Sequence, residues 1–177
     1  MSLQIGDPAP PFSLPSVDGT IHGLEDSAGK AVLIVVFSCN HCPYVQAYED
    51  RMVAIQREYG DRGVQLVAIN SNDDTAYPED SLEQMMARAK AKGFNFPYLR
   101  DASQQVAQAY GATHTPQLFV FDRRRRLRYT GKIDDNWQHP QAVTRRYLRE
   151  ALDALLSDQE PKESQTHAIG CTIKWAR

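Results

Sequence analysis

The fold is decided around the stretch Ser38-Cys39-Asn40-His41-Cys42-Pro43, which carries two cysteines separated by two residues. It follows the apolar run Ala31–Phe37, which predicts a strand buried on both faces. It precedes a helix predicted over 43–59, because proline is tolerated at the first helical position and apolar residues recur there at steps of three and four. The two cysteines therefore lie at a strand-to-helix junction, where unpaired N–H groups and the helix dipole favour a thiolate.

Two thiols at this spacing can close one small disulfide ring, so the junction predicts redox chemistry. We expect Cys39, with its sulfur at the exposed start of the helix, to be the nucleophile that attacks a partner disulfide. Cys42 would then resolve the mixed disulfide, and a protonated His41 would stabilise the Cys39 thiolate. This is the chemistry of a thiol–disulfide oxidoreductase. The alternative interpretation is two buried cysteines that act as small apolar residues.

A metal site is a second hypothesis for the same residues, because half a zinc site has the same cysteine spacing. Zinc or copper would bind the two cysteines together with one of His41, His114 or Cys171, since thiolate and imidazole suit both metals. Cys171 itself has two interpretations. It is either a second resolving thiol that a folded-back tail brings to the site, or a packed and inert residue.

Composition limits the classes of function. The 177 residues suit one domain with a full core, and the net charge of -2 at pH 7 gives no general attraction to nucleic acid or to an anionic membrane. The run Ala31–Phe37 is too short to span a bilayer, and no basic segment followed by an apolar core marks a signal peptide. We therefore expect a cytoplasmic protein. Three cysteines are too few for a disulfide framework, so a close pair in a reducing compartment is catalytic or metal-binding.

Strands and helices alternate along the rest of the chain. The patterns predict strands at 64–69 and 94–99, helices opened by Ser81 and Ser103, a hairpin of Gln117–Phe121 and Leu127–Lys132, and a last helix that begins at Pro140. This order favours a mostly parallel sheet with helices on both faces and an antiparallel edge. We expect one domain over 1–177, with an N-terminal extension at 1–22 and a C-terminal tail at 157–177. In such sheets the site lies at the carboxyl ends of the strands, where Cys39 is placed.

An apolar strand, a C-x-x-C motif, a helix and a later Thr115-Pro116 before a hairpin together resemble the thioredoxin fold. The opening Gly6-Asp7-x-Ala9-Pro10-x-Phe12-x-Leu14 is similar to the start of its peroxiredoxin-like branch, which includes alkyl hydroperoxide reductase/thiol-specific antioxidant relatives and TlpA-type reductases. The ending Gly170–Trp175 resembles one C-x-x-C subgroup of that branch. The resemblance implies a thioredoxin-like three-layer α/β fold, with a central mixed sheet, helices on both faces and an N-terminal β extension.

The resemblance also implies roles for residues at the site. Pro116 would be cis and face the cysteine pair, and the backbone of Thr115 would pair with a substrate strand. Asn40 and His41 replace the Gly-Pro of thioredoxin, and a histidine before the second cysteine would raise the reduction potential above the value of about −270 mV for thioredoxin. The redox-active disulfide would need no metal or organic cofactor. Its partners would be a disulfide-bearing protein or a small thiol, with a cellular thiol reductant, and neither nucleic acid nor membrane.

The chain departs from the peroxiredoxin motif Pro-x-x-x-Thr-x-x-Cys. Counting back from Cys39 places Val36 at the threonine position, and counting back from Cys42 places Cys39 there. Neither register supplies the peroxide-binding hydroxyl, so the third hypothesis is only a weak thiol peroxidase with Cys171 or Cys42 as the resolving thiol.

A second departure concerns proton transfer. The strand Ala31–Phe37 contains no acidic residue, although thioredoxin keeps a buried carboxylate in the corresponding strand. Some other group must therefore help Cys42 to lose its proton.

Overall fold

The structure, a computed structural model, describes residues 2–177. Its strands and helices are, in chain order, β1 Ser13–Pro15, β2 Ile21–Gly23, β3 Val32–Ser38, α1 Pro43–Tyr59, β4 Val64–Asn70, α2 Leu82–Lys92, β5 Tyr98–Arg100, α3 Gln105–Tyr110, β6 His114–Thr115, β7 Gln117–Phe121, β8 Leu127–Gly131, α4 Tyr147–Leu156 and β9 Cys171–Thr172. Short 3-10 turns lie at Leu24–Ser27, Gly60–Arg62, Pro78–Asp80 and Pro140–Ala142. This order confirms the predicted alternation of strands and helices.

The strand β3 is the centre of a five-stranded mixed sheet with the order β5-β4-β3-β7-β8. It pairs in parallel with β4, which in turn pairs in parallel with β5. On its other side it pairs antiparallel with β7, and β7 pairs antiparallel with β8. The late hairpin therefore forms the antiparallel edge that the sequence predicted.

Helices cover both faces of the sheet, because alternate residues of a strand point to opposite sides. Ile34 and Val36 pack in a core with buried residues of α1 and α4, whereas Leu33 and Val35 pack with buried residues of α3. Every residue of β3 is buried as a result. This three-layer arrangement confirms the thioredoxin-like fold that the resemblance implied.

The N-terminal residues form the expected β extension. The strands β1 and β2 pair antiparallel, and Ser16 makes a bridge with Leu99 at the end of the main sheet. Phe12 is buried in the core on the α3 side. The extension therefore packs on the sheet that carries the cysteines.

The helix α1 begins at Pro43 and ends at Tyr59, as predicted. Its apolar stripe is buried, and Glu49 is buried beside it. The Arg88 guanidinium of α2 pairs with the Glu49 carboxylate, with Nε 3.0 Å from Oε2. This ion pair joins the two helices that follow β3 and β4.

The last helix was predicted to begin at Pro140, and this is wrong. The residues Pro140–Ala142 form a single 3-10 turn, and α4 begins only at Tyr147. The Thr144 backbone N–H donates to Asp135 Oδ1 at 2.9 Å, and the Asp135 backbone N–H donates to the Arg145 carbonyl at 3.1 Å. These contacts hold the intervening residues extended against the loop after β8.

The C-terminal tail follows the sheet edge before it reaches the cysteines. The Thr130 backbone N–H of β8 donates to the Ser164 carbonyl, and the Thr166 N–H donates to the Thr130 carbonyl. Gly131 permits this approach, because a Cβ there would lie 2.1 Å from Thr166 Oγ1. Across residues 2–177, none of the helices combines the length and apolar character needed to cross a membrane.

Candidate functional site

Cys39 and Cys42 lie at the carboxyl end of β3, where the chain turns into α1. Both residues are buried, with exposed fractions of 2% and 1%. The expectation that the Cys39 sulfur lies exposed at the start of the helix is therefore wrong. Thr115 contacts the sulfur of Cys39, and Cys171 covers that of Cys42.

Thr115, which directly precedes Pro116, faces the cysteine pair. The peptide bond between Thr115 and Pro116 is cis. Thr115 Oγ1 lies 3.5 Å from Cys39 Sγ, and the Thr115 carbonyl oxygen lies 3.5 Å from Cys42 Sγ. One residue therefore contacts both sulfurs, through its side chain and its backbone.

The backbone of Thr115 pairs with the tail of the same chain. The strands β6 and β9 are antiparallel, with Thr115 opposite Cys171 and His114 opposite Thr172. Cys171 Sγ lies 2.7 Å from Cys42 Sγ. The tail therefore folds back to the site and brings Cys171 into contact with Cys42.

The three thiols differ in acidity because they are buried to different extents and interact with one another. The Cys39 thiol, the Cys171 thiol and the Val45 backbone N–H lower the pKa of Cys42, against the effect of burial. The same hydrogen bond to Cys42 raises the pKa of Cys39, with a further contribution from burial. Burial and the hydrogen bond to Cys42 raise the pKa of Cys171 to about 11. Since Cys42 directly precedes the first residue of α1, the helix N-terminus supports its thiolate. These pKa shifts favour the thiolate on Cys42, whereas the sequence predicted it on Cys39.

His41 lies near Cys39, with a ring nitrogen within 4.8 Å of the Cys39 sulfur, and it also contacts carboxylates. Its Nδ1 lies 2.7 Å from Asp80 Oδ2 and 3.8 Å from Glu79 Oε1. Its ring stacks on that of Tyr77, with the centroids 5.8 Å apart. The imidazole is therefore oriented by a carboxylate and an aromatic ring.

Asn40 fixes the loop between the cysteines. Its backbone N–H donates to Asp80 Oδ1 at 2.7 Å, and its side-chain amide donates to the Glu79 carbonyl at 2.8 Å. Its Oδ1 accepts a hydrogen bond from the Tyr98 hydroxyl at 2.7 Å. Each polar group of this side chain is used to position the loop.

Asp80 is the residue of this site that sequence reasoning missed. It is fully buried and also accepts hydrogen bonds from the side-chain amides of Asn70, at 3.1 Å, and Asn72, at 3.0 Å. Its charge contributes to the raised pKa of Cys39. It supplies a buried carboxylate beside the cysteines, although β3 has none. The sequence did indicate a polar loop at the carboxyl end of β4, in the run 70–74, and Asp80 lies a few residues after that run.

The residues of the metal hypothesis are only partly brought together. Among residues 2–177, one group offers three ligand atoms within 4.8 Å of one another, and it consists of Cys39, His41 and Asp80. The expected ligands Cys42, His114 and Cys171 are not members of that group. The Asp80 oxygens already accept N–H groups, and the raised pKa of Cys39 disfavours the thiolate that a metal requires. The donor set therefore fits a metal poorly.

Comparison with known proteins agrees with this geometry. The profile of the AhpC/TSA family matches residues 5–130. The chain is 28% identical over 148 residues to thiol-disulfide oxidoreductase ResA of Geobacillus thermodenitrificans. The aligned region covers 80% of this chain and 79% of that protein.

Two solved structures are similar over nearly the whole chain. An uncharacterized conserved protein from Geobacillus kaustophilus is 44% identical, with a TM-score of 0.93 and coverage of 98% of this chain and 93% of that one. A hypothetical protein from Sinorhizobium meliloti 1021 is 42% identical, with a TM-score of 0.94 and coverage of 99% of this chain and 97% of that one. The similarity in both cases includes the C-terminal tail region, since almost all of each chain is covered.

Proposed function

Since the chain belongs to the AhpC/TSA family, we propose that it is a thiol–disulfide oxidoreductase in which Cys39 and Cys42 exchange disulfides with a protein or small-thiol partner. The observation that carries the proposal is the placement of Cys39 and Cys42 at the start of α1, where both sulfurs contact Thr115 of the cis Thr115-Pro116 bond. Cys42 directly precedes α1, and its interaction with Cys39 lowers the pKa of Cys42. The likeness to a relative named thiol-disulfide oxidoreductase supports the reaction type.

Cys42 is the attacking thiol in this proposal, because the thiolate is the reactive form. Its sulfur attacks one sulfur of the partner disulfide, and a bond forms between Cys42 and that sulfur. The second partner sulfur leaves as a thiolate and takes up a proton. The product of this step is a mixed disulfide between Cys42 and the partner.

Cys39 resolves the mixed disulfide. The main cause of its raised pKa is the hydrogen bond to Cys42, and that cause is removed once Cys42 carries no charge. Cys39 then loses its proton and attacks Cys42 Sγ, which forms the Cys39–Cys42 disulfide and releases the second partner thiol. The partner gains two electrons and the dithiol loses two, so no metal or organic cofactor is needed. A cellular thiol reductant returns the pair to the dithiol.

A trapping experiment tests the assignment. The variant Cys39→Ser/Cys171→Ser retains only Cys42 and is treated with oxidised glutathione at pH 7. We expect a stable glutathione adduct on Cys42, detected by intact mass. The matched variant Cys42→Ser/Cys171→Ser retains only Cys39 and should react roughly tenfold more slowly, because burial and the charge of Asp80 still raise the pKa of its thiol.

Two results would contradict the proposal. Faster capture by the variant that retains Cys39 would reverse the two roles. Failure of the reduced wild-type protein to reduce oxidised glutathione at all would overturn the activity.

A further inference from the structure

We propose that Cys171 is a third redox cysteine, which the tail strand β9 holds at Cys42 as an internal disulfide partner. In this proposal a Cys42–Cys171 disulfide exchanges with the Cys39–Cys42 disulfide within one chain. The inference rests on the proposed function, because both disulfides share Cys42.

The first support is the position of the tail backbone. The strand β9 adds to the edge of β6, and Cys171 stands directly opposite Thr115. The Ile173 backbone N–H donates to the Thr113 carbonyl at 2.9 Å and extends the pairing by one bond. Because the Thr115 carbonyl oxygen lies 3.5 Å from Cys42 Sγ, this register brings the residue opposite Thr115 to Cys42. The backbone pairing, and not a chance side-chain rotamer, therefore places the third sulfur.

The second support is the glycine before Cys171. A Cβ on Gly170 would lie 2.0 Å from the Thr115 carbonyl oxygen, which is far inside van der Waals contact. Any other residue there would push the tail away from the cysteines. The sequence therefore permits the close approach that the Cys171 sulfur requires.

The third support is the anchoring of the tail after Cys171. Ile173 is buried in the core on the α3 side. The Lys174 backbone N–H donates to Asn72 Oδ1 at 2.9 Å, and the Lys174 carbonyl accepts hydrogen bonds from the Asp73 N–H and the Gln104 side chain. Upstream, residues 164–166 pair with β8. A segment fixed on both sides presents its thiol at a high effective concentration.

The fourth support is the exposure of the three thiols. Cys39 and Cys42 are buried, whereas Cys171 is partly exposed. A solvent thiol therefore meets Cys171 first. In a Cys42–Cys171 disulfide the sulfur of Cys171 is the one that an external thiol can attack, so the tail connects the buried pair to solvent.

The internal exchange is balanced in atoms and electrons. In the Cys42–Cys171 form, the Cys39 thiolate attacks Cys42 Sγ, a Cys39–Cys42 bond forms and the Cys42–Cys171 bond breaks. Cys171 leaves as a thiolate and takes the proton that Cys39 gave up. One disulfide replaces another, so there is no net oxidation. The disulfide enters the chain from the partner disulfide of the proposed function, such as oxidised glutathione.

The test uses Cys39→Ser, in which only Cys42 and Cys171 remain, treated with oxidised glutathione and mapped by non-reducing peptide mass spectrometry. We expect the Cys42–Cys171 disulfide, with little glutathione adduct. Cys39→Ser/Cys171→Ser, the matched variant, should stop at the adduct. Two results would overturn this inference and leave the proposed function standing, provided that the wild-type protein still reduces oxidised glutathione. One is a stable glutathione adduct in both variants, and the other is the absence of both products in Cys39→Ser. An inert wild-type protein would overturn the proposed function and the inference with it.

A second pair of variants keeps both thiols and changes only the tail backbone. In the Cys39→Ser background, Gly170→Ala should slow formation of the Cys42–Cys171 disulfide roughly tenfold or more, because the tail loses its fixed position. Gly29→Ala is the control, since a Cβ at Gly29 has no atom within 4 Å, and it should leave the rate unchanged. Equal rates for the two variants would contradict the role of the tail strand.

Discussion

The imidazole Nδ1 of His41 lies 2.7 Å from the carboxylate Oδ2 of Asp80. The other oxygen of that carboxylate accepts the backbone N–H of Asn40 at 2.7 Å. One buried acid therefore holds both residues between the cysteines. It joins the loop after β4 to the loop after β3, so the two carboxyl ends of neighbouring parallel strands form a single site.

Replacement of this acid should destabilise the fold. In Asp80→Asn the introduced amide nitrogen would face the Asn72 amide, and His41 would lose its contact with a carboxylate. We therefore expect a loss of about 1–3 kcal/mol in the free energy of unfolding. Urea denaturation of the reduced proteins measures it. Glu79→Gln is the control, because the Glu79 side chain is 46% exposed and lies 3.8 Å from His41; its effect should stay within about 0.5 kcal/mol. Equal effects of the two substitutions would contradict a special role for Asp80.

The reduced protein should carry one thiolate at pH 7, on Cys42. Its contacts with Cys39 and Cys171 lower the pKa of Cys42 from 9.0 to about 4, so we expect this thiol to be ionised at pH 7. The pKa of Cys39 is raised and that of Cys171 is about 11, so both of these remain protonated. The ultraviolet absorbance of the thiolate, followed from acid to alkaline pH, should therefore show one step below pH 7. That step should vanish in Cys42→Ser and persist in Cys171→Ser. A step that vanishes only in Cys39→Ser would assign the thiolate to the other cysteine.

Peroxide should be a poor substrate. The position where peroxiredoxins place a threonine is Val36 when counted from Cys39, and Val36 is buried in the core on the α1 side. Thr115 Oγ1 contacts Cys39, which is the protonated thiol, and not Cys42. Stopped-flow mixing with hydrogen peroxide should oxidise the reduced protein no faster than a free small thiol at the same pH. Oxidation on the order of a hundredfold faster, lost in Cys42→Ser, would restore the peroxidase hypothesis.

The buried carboxylate of α1 should depend on its partner. Arg88→Met leaves Glu49 uncompensated in the core, and we expect a loss of about 3 kcal/mol in the free energy of unfolding. Lys92→Met on the same helix is the matched control. Lys92 Nζ lies 3.0 Å from Asp50 Oδ1, and the Asp50 side chain is 81% exposed. Loss of this ion pair should therefore change the free energy of unfolding by less than about 1 kcal/mol. Chemical denaturation measures both variants, and similar losses would show that the burial of Glu49 does not matter.

Sequence reasoning succeeded where structure depends on near neighbours. The limits of α1 follow from Pro43 at its first position and from the spacing of its apolar residues. The site at the end of β3 follows from the order of strands and helices. The cis bond before Pro116 did not follow from the residues themselves, and only the family resemblance implied it.

Sequence reasoning failed where distant segments meet. The burial of Cys39 and the acidity of Cys42 depend on Thr115 and on Cys171, which is 129 residues away from Cys42 along the chain. Asp80 stands directly before a helix cap and so resembles an ordinary acidic residue of a helix N-terminus. The late start of α4 likewise depends on Asp135, which holds Thr144 in an extended segment.

The pairing of the tail with β8 also has a consequence for the solubility of the chain. An edge strand with unpaired backbone N–H and C=O groups is a template with which strands of other chains can pair. Here Ser164 and Thr166 form hydrogen bonds with the Thr130 backbone N–H and C=O groups at the edge of the sheet. A chain shortened before Ser164 would leave these groups open, and its molecules would then tend to aggregate by pairing along this strand.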